Sequence, residues 1–129
     1  MDLLLDTTVL VDFLRGDQGA LRLIQRVASG QAERGYISAM TVLELLQKPN
    51  LTPEEQAVRS TFGQVLPVLP ITEEIAVEAG LLATTANMTN PKGIIFDAVI
   101  AATASKHRLD IVSRNTQDFR SLDTTPMIY

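Results

Sequence analysis

Three consecutive leucines, Leu3-Leu4-Leu5, form an apolar run that stops abruptly at Asp6-Thr7-Thr8. A strand that is apolar at every position has both faces buried, so this run is predicted as a central strand of a parallel sheet. Val9 to Leu14 reads as a short helix stopped near Gly16. Gln18 to Ser29 reads as a second, with Leu21, Ile24 and Ala28 on one face and Gly30 as the stop. Gly35 to Ser38 is a brief strand, and the apolar run Met40 to Gln47 is a helix ended by Pro49. Thr52-Pro53-Glu54-Glu55 carries a threonine cap, a proline at the first helical position and a glutamate three residues after the cap. That combination starts a helix expected to reach about Val65.

Val68 to Ile71 is the next strand, and Thr72-Glu73-Glu74 opens a helix reaching about Ala86. Asn87 to Gly93, with its proline and glycine, reads as a polar loop. Phe96 to Lys106 is apolar on nearly every side, which predicts a buried helix. Leu109 to Val112 is a further strand, and Met127-Ile128 a last short one. Strands alternating with helices predict an α/β class fold with a mainly parallel sheet flanked by helices. At 129 residues, without repeat or linker, the chain is expected to be one domain.

Composition narrows the chemistry. No run approaches the roughly 18 apolar residues of a membrane helix. The opening Met-Asp-Leu-Leu-Leu-Asp lacks a basic n-region, so no secretory signal is expected and the cytoplasm is the expected compartment. Cysteine is absent and His107 is the only histidine. A Cys/His zinc site is therefore excluded, and no G-x-S-x-G or phosphate-binding glycine loop appears. The net charge of −4 argues against a broad basic surface that coats nucleic acid. It leaves room for a local site in which a divalent cation supplies the positive charge.

Four carboxylates stand out. Asp6 lies where a buried parallel strand gives way to a loop, the place where open α/β sheets bind ligands, but it is equally placed to cap the helix that follows. Glu44 is the only acid in Met40-Thr41-Val42-Leu43-Glu44-Leu45-Leu46, where Lys48 offers an ordinary ion pair four residues on. Asp97 begins the apolar helix, where a carboxylate gains from the helix dipole. Yet an ionised acid among Ile94, Ile95, Phe96, Ala98 and Val99 is costly unless a cation meets it. Asp118 ends the segment Val112-Ser113-Arg114-Asn115-Thr116-Gln117-Asp118, in which a strand leads into a loop of hydroxyl, amide and acid groups.

Taken in order, these segments resemble those of PIN-domain nucleases, above all the VapC-like toxins of toxin–antitoxin pairs. Leu-Leu-Leu-Asp6-Thr7-Thr8-Val-Leu-Val-Asp12 is similar to the opening of that family, and Thr41-Val-Leu-Glu44-Leu to its second acidic segment. Phe96-Asp97-Ala-Val-Ile-Ala-Ala-Thr-Ala104 resembles the third, and Val112 to Phe119 the last. The segment from about Lys48 to Asn90 carries least of the likeness. The chain has Thr8 where the family often has asparagine, and Ser113 where it often has threonine.

The resemblance implies a PIN-like α/β/α sandwich whose four acids converge at one end of the sheet and hold Mg²⁺ or Mn²⁺. Hard cations suit such oxygen ligands. It further implies endoribonuclease activity on RNA, with Thr7, Ser113 and Asn115 supporting the acids. Some members carry the fourth acid at the position of Asn115 and others at that of Asp118; Asp118 is taken here as the acid. A homodimer and a small cognate antitoxin protein are implied as partners, with no membrane. Arg15, Lys92, Arg114 and Arg120 lie in or beside the motif segments and are the candidate RNA phosphate contacts. The cluster Lys106-His107-Arg108 suits a structural role at a helix C-terminus.

Two alternatives stand beside this reading. A metal-dependent phosphatase or phosphotransfer domain also opens on a hydrophobic strand ending in Asp, but it calls for a second acid where this chain has Thr8. A non-catalytic PIN-like interaction domain would be expected to have lost acids that are all present here.

Overall fold

The computed structural model describes residues 2–30, 32–86, 91–122 and 124–129, residues 91–93 by their backbone alone. The leucine run is β1 (Leu3–Leu5), followed by α1 (Thr7–Leu14), α2 (Gln18–Ser29), β2 (Gly35–Ser38) and α3 (Ala39–Leu46). Then come α4 (Pro53–Ser60), α5 (Phe62–Val65), β3 (Val68–Leu69), α6 (Glu73–Thr85), α7 (Pro91–His107), β4 (Asp110–Val112) and α8 (Thr116–Arg120).

The four strands form one parallel sheet in the order β3-β2-β1-β4. Leu3 lies opposite Gly35 on one side and Asp110 on the other, so β1 is a central strand. Its side chains alternate between two cores. Leu4 packs with Ile75 of α6, Ile100 of α7, Ile111 and Phe119. Leu3 and Leu5 pack on the other face with Val9, Leu10, Ile24, Ile37 and Leu45. Each leucine is at most 1% exposed. An uninterrupted apolar run is what a strand covered by helices on both faces requires, and the fold is the expected α/β class.

Local chemistry sets most of the boundaries. Gly30 takes the left-handed C-cap of α2 at φ 66°. Thr52 and Glu55 close a reciprocal capping box around Pro53. Gly35 lies so close beneath α2 that a Cβ there would come within 2.7 Å of Val27 Cγ2. Helix α2 and strand β2 touch at this point because the side chain is missing.

The structure corrects the sequence reading in several places. Pro91, Lys92 and Gly93 open α7 and are not loop; proline lacks only an amide hydrogen that the first turn would leave unpaired. The rest of that expected loop, residues 87–90, lies outside the described residues. The buried face of α2 is Ala20, Leu23, Ile24 and Val27, and Ala28 is exposed. The helix from Pro53 breaks at Thr61. There the Ser60 and Thr61 hydroxyls turn back to the carbonyls of Gln56 and Val58, at 2.8 and 2.6 Å, competing with the backbone ladder. The strand at Val68 ends at Leu69. Met127 makes a single parallel bridge to Val112 and no regular strand. Thr116–Arg120, read as loop, is a short helix.

Candidate active site

Because β1, β2 and β4 are parallel, the segments leaving their carboxyl ends emerge at one edge of the sheet. The chain runs from β1 outward to β2 and β3 on one side and returns to β4 on the other. Such a switch point opens a crevice beside the central strand. Asp6 leaves β1 at this crevice and its amide donates to Val112 O at 3.0 Å. Its side chain is 3% exposed and makes no cap hydrogen bond to α1. Asp6 Oδ2 instead accepts from Ser113 Oγ at 2.6 Å and Thr8 Oγ1 at 3.2 Å. Burial pushes the carboxyl above its ordinary range, and the Ser113 hydroxyl opposes that shift.

Glu44 arrives from the neighbouring strand. Ser38 ends β2 and caps α3 by accepting the Met40 amide at 3.0 Å, which carries the next turn of α3 over the end of β1. Thr7 Oγ1 donates to Glu44 Oε1 at 2.7 Å and lies 3.2 Å from the buried Thr41 hydroxyl. Among the described residues no ion pair joins Glu44 to Lys48. Burial raises the Glu44 pKa, opposed by the Thr7 hydroxyl and reinforced by the charge of Asp6.

Asp97 is not at a helix N-terminus. It sits in the second turn of α7, 8% exposed, between Phe96 and the buried Ala98. Burial first, then the charges of Asp6, Asp118 and Glu44, push its pKa to about 7. Asp6, Glu44 and Asp97 line one cleft of about 190 Å³ with Thr7, Thr8, Asn115 and Arg114. Asn115 N donates to Ser113 Oγ at 2.9 Å, and its Nδ2 to Asp118 Oδ2 at 2.9 Å. Asp118 itself is exposed on α8 and stands behind Asn115 rather than in the cleft lining.

Of the cationic candidates, Arg114 lines the cleft. Arg15 lines an adjoining groove with Glu44, Lys48 and Arg59. Arg120 is exposed on α8 away from the cleft wall, and the side chain of Lys92 lies outside the described residues. Lys106 pairs with Glu74, in keeping with a structural role for that cluster.

Four further residues hold the site together. Thr8 Oγ1 lies 3.2 Å from both Asp6 Oδ2 and Ser113 Oγ, and accepts the Arg114 amide at 3.3 Å. Thr41 backs Thr7. Asp12 is buried; its Oδ1 accepts from Arg114 Nη2 at 2.9 Å and its Oδ2 from the Tyr129 hydroxyl. Burial, then the Asp12 carboxylate, push the Tyr129 hydroxyl up to about 12, so it remains a donor. The sequence carried one signal for Asp12, an acid in the apolar stretch Val9 to Leu14, and none for Tyr129.

Residues 3–124 match the family model described as the PIN domain. The chain belongs to the PIN-domain family. It is 31% identical to toxin FitB of Neisseria gonorrhoeae, over 94% of this chain and 93% of that protein. In fold, this PIN domain is similar to the crystal structure of VapBC2 from Rickettsia felis bound to a promoter DNA fragment, with TM-score 0.77 and 19% identity. That match covers 100% of this chain and 99% of the other. It is likewise similar to DNA-bound VapBC from Salmonella typhimurium, with TM-score 0.75, 24% identity and coverage of 100% and 97%. Among its described residues, no helix of this PIN domain is long and apolar enough to cross a membrane.

Proposed function

We propose that this PIN domain is a Mg²⁺- or Mn²⁺-dependent endoribonuclease. In this reading it is a VapC-like toxin that acts in the cytoplasm as a homodimer and is inhibited by a cognate antitoxin protein. One observation carries the proposal. Asp6, Glu44 and Asp97, from three separate elements, share a cleft in which burial raises the pKa of each, and Asp97 feels the charges of the other two. The family, and a relative that is itself a toxin, support the same reading.

The donor set fits a hard divalent ion: every ligand on offer is an oxygen, and the net negative charge has no cation paired to Asp6, Glu44 or Asp97 among the described residues. Among those residues no three acids form a ready-made cage. Mg²⁺ keeps several waters and takes only one or two carboxylates. In this proposal Asp6 and Asp97 hold the principal ion, while Glu44 and Asp118 hold a second or orient its waters. A bound divalent ion supplies Lewis acidity toward the phosphoryl group and a water of lowered pKa.

The remaining work falls to the chain's own groups. Ser113 and Thr8 fix the Asp6 carboxylate, and Thr7 fixes that of Glu44. Asn115 presents an amide to the cleft, and Arg114 places positive charge at its rim. Purified protein incubated with total RNA should yield new 5′ ends with Mg²⁺ or Mn²⁺ and none with EDTA. Hydrolysis of small phosphoesters without RNA cleavage would overturn the reading.

A further inference from the structure

Asp12 is a buried carboxylate that the acid cleft does not use. It lies on α1 with its side chain 12% exposed, whereas that of Arg114, its partner, is 60% exposed. A salt bridge whose only task was to satisfy Asp12 could bury both groups. Here the acid is inside and the arginine side chain is exposed, on a residue that also lines the cleft of Asp6, Glu44 and Asp97. Asp12 has both oxygens engaged, one by Arg114 and one by Tyr129, and the Arg114 backbone is tied to Thr8. Arginine offers five N–H donors in a rigid fork, so a contact through Nη2 leaves donors free.

We propose that Asp12 and Tyr129 are positioning residues that clamp the Arg114 guanidinium at the rim of the cleft, where it receives a phosphate of the RNA strand. The proposal rests on the nuclease reading above. Two physical consequences give the clamp its purpose. An unclamped arginine is a long side chain with many rotamers, and fixing it beforehand spares that entropy when RNA binds. An unclamped arginine could also fold into the cleft and pair with Asp6, Glu44 or Asp97, neutralising the acids that are to receive a cation. Asp12, by holding the guanidinium outward, keeps the two charges apart. Among the described residues Arg114 is the one cation lining the acid cleft.

The test pairs kinetics with binding. With Mg²⁺ and RNA substrate, Tyr129→Phe should raise KM about three- to tenfold and leave kcat within about twofold, the loss expected from one positioning hydrogen bond. Arg114→Ala should raise KM further and reduce the slope of log affinity against log salt by about 0.7, one phosphate contact on a single strand. Adding Tyr129→Phe to Arg114→Ala should change nothing more, because the clamp then holds nothing. Arg114→Ala strands a buried acid, so Arg114→Ala combined with Asp12→Asn serves as the folded control, its thermal midpoint read alongside. The proposal is overturned if Arg114→Ala lowers the thermal midpoint without moving KM. It is overturned equally if Tyr129→Phe raises KM as much without Arg114 as with it. Fluorescence anisotropy with a labelled single-stranded RNA separates this proposal from the nuclease reading. Binding that weakens in Tyr129→Phe, in a protein that cleaves nothing, would sink the nuclease reading and keep the clamp. Unchanged binding beside intact cleavage would sink the clamp alone, and no binding by the wild type would sink it outright.

Discussion

Asp6 and Asp12 stand on one short stretch of chain, both buried, and meet opposite surroundings. Around Asp6 are the hydroxyls of Ser113 and Thr8 and, across the cleft, two more acids. Around Asp12 are a guanidinium and a phenol. One carboxylate has donors but no countercharge, and the other has its countercharge built in. A buried acid without a cation is costly, and three in one cleft repel each other as well. A count of acids does not separate these two environments; the presence or absence of a countercharge does.

The sharpest way to break the comparison is to neutralise each acid in turn. Asp6→Asn or Asp97→Asn should lower the rate of RNA cleavage by at least about a thousandfold, since several kcal/mol of transition-state stabilisation go with the ion. Asp12→Asn should leave kcat within a few-fold. Single-turnover cleavage with matched Mg²⁺ measures both, and equal losses for Asp6→Asn and Asp12→Asn would end the distinction.

Stability should separate the two environments in opposite directions. The Asp97 pKa in the folded chain, about 7, lies above its ordinary value of 3.8, so the folded state binds the extra proton. This term costs nothing below about pH 3, where Asp97 is protonated folded and unfolded alike. Stability is then lost as pH rises toward 7, and the loss levels off above it. In EDTA, Asp97→Asn should therefore stabilise the protein at pH 7.5 by on the order of 2–4 kcal/mol, with the gain vanishing below about pH 3. Asp12→Asn should destabilise it by about 1–2 kcal/mol at the same pH, having weakened two hydrogen bonds. Urea titrations across the range would show it. A flat profile for the wild type would mean that Asp97 carries no unmet charge.

The hydroxyls around the cleft should act through metal affinity. Thr7→Val removes the donor to Glu44, and Ser113→Ala the 2.6 Å donor to Asp6. Each should weaken Mn²⁺ binding by roughly tenfold in calorimetry, the usual cost of losing a group that orients a ligand. Tyr129→Phe, beside Asp12, should leave that affinity unchanged.

How much of this could be read beforehand follows from the range of each signal. β1 was legible because burial on both faces leaves an unbroken apolar run, and the Thr52 cap because its chemistry is local. The start of α7 was not: Pro91 and Gly93 are loop-forming residues almost everywhere except a first helical turn. Helix α8 has five residues, too few to show a period. Asp6, Glu44, Asp97 and Asp118 were legible only as a set, since each alone had an ordinary alternative. The structure weighs against three of those alternatives: Asp6 stands at the N-cap of α1 without a side-chain cap hydrogen bond, Glu44 has no lysine partner among the described residues, and Asp97 lies inside its helix. The clamp on Asp12 was out of reach, because Tyr129 is 117 residues away and nothing local marks the pair.

Asp118 lies between the two environments and gives the smallest expected effect. Like the cleft acids, it adds negative charge at Asp97. Like Asp12, it is already hydrogen-bonded, by Asn115, and it is exposed on α8. An exposed acid behind an amide is placed to orient water rather than to grip an ion directly. Asp118→Asn should therefore slow cleavage by only about three- to tenfold, within the range of an outer-shell group. It should also lower the Asp97 pKa, moving the stability profile in EDTA toward lower pH, because one of its repelling charges is gone. Asn115→Ala, which frees the Asp118 carboxylate, should slow cleavage about as much and leave Asp97 as it was. A loss in Asp118→Asn as large as that in Asp97→Asn would instead place Asp118 on the ion itself, with α8 closing toward the cleft when the metal binds.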